Sequence, residues 1–302
     1  MKAVLGAHWD ARAETIDACA ERTAALLRAL VEIDPLLADW RDKGGSRRDA
    51  LAQPVVTTDH ADLVDRLLVG RNRTDVGNEV IEELGYAVSW WNSRETRDGG
   101  VTLRLHLGVT SPHVANSVTL NLPDSRSFPG LYEQSRAGEL MLAVIAIFEP
   151  DRAVWSSSSM KKAQAEPDQE LENGGIAYGQ LIGHPAGWAT YLSDASNIKF
   201  DNRAFPPRVA VDRLGSGTLV RIGGDPANPP MGDVLAVRVA MGYPLPGHLT
   251  PNENERPTAG SPVTGTVGSG VVPVVERRPS STTAFDDAGQ ESQSLPASHD
   301  PK

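Results

Sequence analysis

A single cysteine, Cys19, leaves no partner for an intrachain disulfide, which fits a reducing cytoplasm. Long apolar runs are also missing. The greasiest stretch, residues 140–148, is far shorter than the ~18–20 residues that span a bilayer. The first ten residues lack the apolar run of a secretory signal, so a cytoplasmic protein with no membrane contact is expected. Basic residues are in deficit. Lys and Arg number 29 against 39 Asp and Glu, a net charge of −10 over 302 residues. Such a chain repels phosphate backbones, which argues against direct nucleic-acid binding. It suits docking onto a basic partner, because opposite potentials speed encounter.

Catalytic signatures are absent as well. There is no phosphate loop, and Gly215-Ser216-Gly217 lacks the third glycine and the helix of a dinucleotide fingerprint. The seven histidines show no metal-ligand spacing with each other, with Cys19 or with a carboxylate. Ser156-Ser157-Ser158-Ser159 offers hydroxyls without a nucleophile elbow. No cofactor and no metal are expected. One enzymatic reading stays open: a hydrolase in which folding joins Cys19 or a serine to a distant histidine.

What is present points to an α+β fold, a mainly antiparallel sheet packed against helices. Apolar positions Ile16, Cys19, Ala20, Leu26, Leu27, Leu30 and Ile33 recur at helical spacing, and Pro35 stops that helix. Asp59 to Val69 reads as a second helix with Thr58 or Asp59 as cap, and residues 76–84 as a further helical turn or two. The period then drops to two over 86–91, 101–109 and 117–122, which suggests an antiparallel meander. A buried helix over 138–148 and a strand over 152–156 follow, then an exposed loop over 156–175. A strand at 187–192, a hairpin joining 209–214 to 218–222, and a helix over 233–241 complete a domain of residues 1–247. Residues 248–302 are rich in Pro, Gly and Ser and are expected to be a disordered tail. From 251 onward they hold 4 basic and 7 acidic residues, so most of the negative charge belongs to the body.

Two features suggest a contact surface. Asp59, Asp62 and Asp65 recur every third residue on one helix face, and Glu79, Glu82 and Glu83 follow nearby. Trp90 and Trp91 are adjacent in a strand, so they point to opposite faces, and an exposed tryptophan is a good interface anchor. These eight residues are the expected partner-binding set. Arg71-Asn72-Arg73 is either a polar contact cluster or a network that holds its loop.

Several short motifs fall in a consistent order. They are Trp9 with Arg12, Cys19-Ala20-Glu21-Arg22, Ile33-Asp34-Pro35-Leu36 with Trp40, Gly70-Arg71-Asn72-Arg73, and Val80-Ile81-Glu82-Glu83-Leu84-Gly85. Trp91-Asn92, Asn116 to Pro123, Gly187 to Leu192 and Gly217-Thr218-Leu219-Val220 continue the series. In this the chain resembles the immunity protein 52 family of bacterial polymorphic toxin systems over residues 5–245. The resemblance implies a non-catalytic α+β protein that binds and neutralises a cognate toxin, a nuclease of restriction-endonuclease fold. It carries over no catalytic residue. An intracellular scaffold that works through its tail is the remaining alternative.

Overall fold

A computed structural model describes residues 1–171 and 174–247, all within the unit Met1–Glu255. The expected tail, 248–302, lies outside the described residues. Nine strands form one antiparallel sheet: β1 (Lys2–Trp9), β2 (Arg41–Asp42), β3 (Tyr86–Trp91), β4 (Thr102–Leu107), β5 (Asn116–Asp124), β6 (Arg152–Ser157), β9 (Ala189–Ser193), β10 (Val209–Leu214) and β11 (Gly217–Ile222). Their order is β10-β11-β9-β6-β1-β5-β4-β3-β2. The short pair β7 (Gln169–Glu170) and β8 (Ile176–Ala177) stands apart. Among the described residues six α-helices accompany them: α1 (Ile16–Ile33), α2 (Arg47–Ala52), α3 (His60–Val69), α4 (Gln134–Phe148), α5 (Ser158–Ala163) and α6 (Met231–Ala240). The α+β class, the meander β3-β4-β5 and the β10–β11 hairpin agree with the sequence reading.

Register assigns each side chain a face. Leu5 lies opposite Leu120 and Trp155, while Trp90 lies opposite Leu103, and all five are buried under α1, α3 and α4. The aromatic centre of this layer is Trp155, which meets Tyr132 and Trp188 edge-on, each at 5.9 Å. The opposite face carries Gly6, His8, Arg104, His106, Thr119 and Arg152. There α5 packs on β6 and α6 on β11, whereas over β3 and β4 Ala87 and Arg104 stay exposed.

Local chemistry explains the helix ends. The Thr15 hydroxyl accepts from the Ala18 amide at the start of α1. At its far end Asp34 accepts from the Leu36 amide and pairs with Arg136 of α4 at 2.6 Å, tying two helices together. In α3 the Asp59 carboxylate caps the Ala61 and Asp62 amides. No helix among the described residues is long and apolar enough to cross a membrane.

Two segments differ from expectation, and a third, for which none was given, forms a strand. The opening residues form the strand between β5 and β6, near the middle of the sheet. Ala3, Ala7 and Gly6 have low strand preference, so only pairing on both sides reveals it. Of residues 76–84 only the last three are helical. Gly77 and Asn78 take left-handed φ values of 85° and 54°, Arg73 bridges to Val80, and Glu82–Leu84 make one 3-10 turn. Within 156–175 the expected loop begins with α5, because the Ser157 hydroxyl caps the Met160 amide and Met160 is buried.

Candidate partner-binding surface

The eight expected contact residues divide by what each side chain already holds. Asp59 is spent as the α3 cap. Asp62 accepts from the Thr57 amide and hydroxyl, both at 2.9 Å, and from Arg66 Nε at 2.8 Å. Burial raises the Asp62 pKa, but the Thr57 and Arg66 hydrogen bonds outweigh it and leave the carboxyl below its ordinary value. Glu82 pairs with Arg71 at 2.7 Å. Asp65, Glu79 and Glu83 are exposed, and their carboxylates have no bonded partner among the described residues. Trp90 requires a correction. It is completely buried and donates its indole N–H to Asp42 at 2.9 Å, so it is a core residue and cannot reach a partner. Trp91 points the other way and is half-buried. Of the six tryptophans it alone is outside the buried core, which leaves it the one indole able to anchor a contact.

The structure brings the start of α3 and Glu82 to the first turn of α1. His60 of α3 pairs with Asp17 at 2.9 Å. Beside it a cleft of about 330 Å³ is lined by Glu14, Thr15, Arg71, Glu82 and Tyr86. The Arg71 guanidinium lies over the Tyr86 ring at 5.9 Å while it holds Glu82. The loop reading of Arg71-Asn72-Arg73 prevails. Asn72 donates to the Leu84 carbonyl and Arg73 to the Asn78 carbonyl. Asp17 did not figure in the expected set. Its only sequence signal is its position in the first turn after a cap, where the helix dipole favours an acid.

The groups considered for catalysis are differently placed. Cys19 is fully buried, and burial followed by the charge of Glu14 pushes its thiol up to about 12, so it holds its proton at neutral pH. No histidine side chain bonds a serine hydroxyl or the cysteine among the described residues. Ser157 is engaged in capping α5. No cluster of His, Cys, Asp and Glu able to hold a metal occurs among the described residues.

His8 produces a measurable acid sensitivity. Burial first, then the charges of Arg152, His184 and Lys161, lower its pKa from 6.5 to about 4. Between those values the unfolded chain binds the proton more readily than the folded one. The stabilisation is therefore complete above pH 6.5 and is lost as the solution is acidified toward pH 4. Chemical denaturation at pH 7 and pH 4.5 should show the parent losing about 2 kcal/mol more than His8→Gln. Equal losses in the two proteins would show that His8 titrates normally.

Comparison with known proteins adds the lineage. No curated protein matches the chain. Among solved structures, the Pseudomonas aeruginosa T6SS protein PA0821 is similar, with 12% sequence identity, 80% of this chain and 72% of that chain covered, and a TM-score of 0.44. The family model described as Immunity protein 52 matches residues 3–224, a span that runs from β1 through β11. The chain belongs to the immunity protein 52 family.

Proposed function

We propose that this chain is an immunity protein that binds and neutralises a cognate polymorphic toxin in the cytoplasm, and that the toxin is a DNA-cleaving domain of restriction-endonuclease fold. The observation that carries this reading is the family match, which reaches all nine strands of the sheet. The electrostatics support the nuclease assignment. A nuclease groove must be basic to hold phosphate, and this chain carries a net charge of −10. Asp65, Glu79 and Glu83, exposed and uncommitted, are the residues proposed to meet that groove, with Asp17, Asp59, Asp62 and Glu82 supplying fixed negative potential around them. Trp91, on the sheet face away from α3, is proposed as an apolar anchor of a separate contact. Inhibition requires occupancy alone, with no bond made or broken by this chain.

Purified chain mixed with the toxin encoded beside it should form a complex that elutes as one species and no longer cleaves DNA. Complex formation with cleavage intact would remove the neutralising role. A neutralised toxin without nuclease activity would retain the immunity reading and discard the proposed toxin class.

A further inference from the structure

On the sheet face away from α1, α3 and α4, a cavity of about 300 Å³ lies against β1, β6 and β9. Val4, Val154, Leu192 and Met241 give it apolar walls, and Gly6 leaves its floor open. Four ionisable side chains of basic type line it: His8, Arg152, Lys161 and His184. No aspartate or glutamate does, in a chain where acids outnumber Lys and Arg 39 to 29. Acids act on the lining only from outside it: Asp10 on His184, and Asp151 and Asp194 on Tyr191.

Arg152 is the telling residue. It is half-buried, yet its guanidinium has no ion pair or hydrogen bond among the described residues. A guanidinium partly withdrawn from water is costly unless an anion meets it. The cavity wall is also held in place before any ligand arrives. Arg238, itself buried, donates to the His184 carbonyl at 2.8 Å and the Ile182 carbonyl at 2.6 Å. The Gln164 amide donates to the Ala186 carbonyl at 2.9 Å and accepts from the Ala186 amide at 2.7 Å. A pre-formed apolar cavity with a few convergent polar groups is the usual form of a small-molecule site.

We propose that this cavity binds a small organic anion, a single carboxylate or phosphate group on an apolar body. The charged group meets Arg152 and Lys161, and the body lies against Val4, Val154, Leu192 and Met241. Because the acidic surface at the start of α1 is built from other residues, this site stands whether or not the toxin reading does.

The test titrates the full chain with benzoate, phenyl phosphate and neutral benzamide, following the ring C–H signals of His8 and His184 by NMR. At least one anion should bind saturably at one site and shift both histidines, with benzamide weaker by about tenfold or more. Arg152→Gln and Lys161→Gln should each weaken that anion by about tenfold while the thermal melt stays parental. Gly6→Val tests the cavity without touching its charge. A Cβ at Gly6 would sit 3.5 Å from His8 Nε2, an ordinary contact, so the variant should fold and exclude the ligand. Benzoate against phenyl phosphate identifies the headgroup. The proposal is overturned if neither anion saturates by about 10 mM, if benzamide binds equally well, or if Arg152→Gln binds as the parent does.

Discussion

Replacing Trp155 with alanine is expected to lower stability by about 3–5 kcal/mol. The side chain is fully buried on β6, beside the central strand, and its indole N–H donates to the Pro226 carbonyl at 3.2 Å. Its edge contacts to Tyr132 and Trp188 join three elements: the turn before α4, β6 itself and the segment entering β9. Gly187 also packs directly against the Trp155 backbone carbonyl, where no side chain would fit. A Cβ built there would lie 1.9 Å from that oxygen. The variant therefore leaves a cavity and an unpaired carbonyl together. Urea denaturation measures the loss. A change below about 1 kcal/mol would mean that the aromatic cluster is not the packing centre described. Trp91→Ala, on the half-buried face, serves as the small-effect comparison.

Joint reversal of Asp65, Glu79 and Glu83 to lysine should slow association with the toxin by about 10–10³-fold and flatten its dependence on salt. These three carboxylates were selected because they hold nothing in the folded chain, so reversal changes the field and leaves the hydrogen bonds intact. Asp62 would be a poor choice despite its place on the same helix. Its loss breaks two bonds to Thr57 and the ion pair with Arg66, and destabilisation would be mistaken for weakened binding. Stopped-flow association across a salt series reads the effect. An on-rate equal to the parent's at low salt would remove this face from the contact.

The two outcomes show how differently fold and site are written into the chain. Alternation made Leu103, Leu105, Val118 and Leu120 legible as one face of a meander, because each strand carries its own period. The adjacent Trp90 and Trp91 were legible as opposite-facing for the same reason, though which faced inward was set by β4. The first strand was not legible. Its Ala3, Gly6 and Ala7 carry little strand preference, and the pairing with β5 and β6 that makes it a strand exists only in the assembled sheet. The aspartates of α3 were correctly placed on a helix, yet spacing could not separate a cap, a Thr57-bound carboxylate and a free one. That distinction depends on Thr57 and Arg66 and on the turn that carries them. The basic cavity was less legible still, since His8, Arg152, Lys161 and His184 come from separate segments and share no spacing.

Growth of cells that express the neighbouring toxin, with and without this chain, tests the central claim most directly. Co-expression of the parent chain should restore growth, and the Asp65, Glu79 and Glu83 triple reversal should restore it poorly at equal protein level. Continued killing in the presence of abundant, folded parent chain would contradict the account.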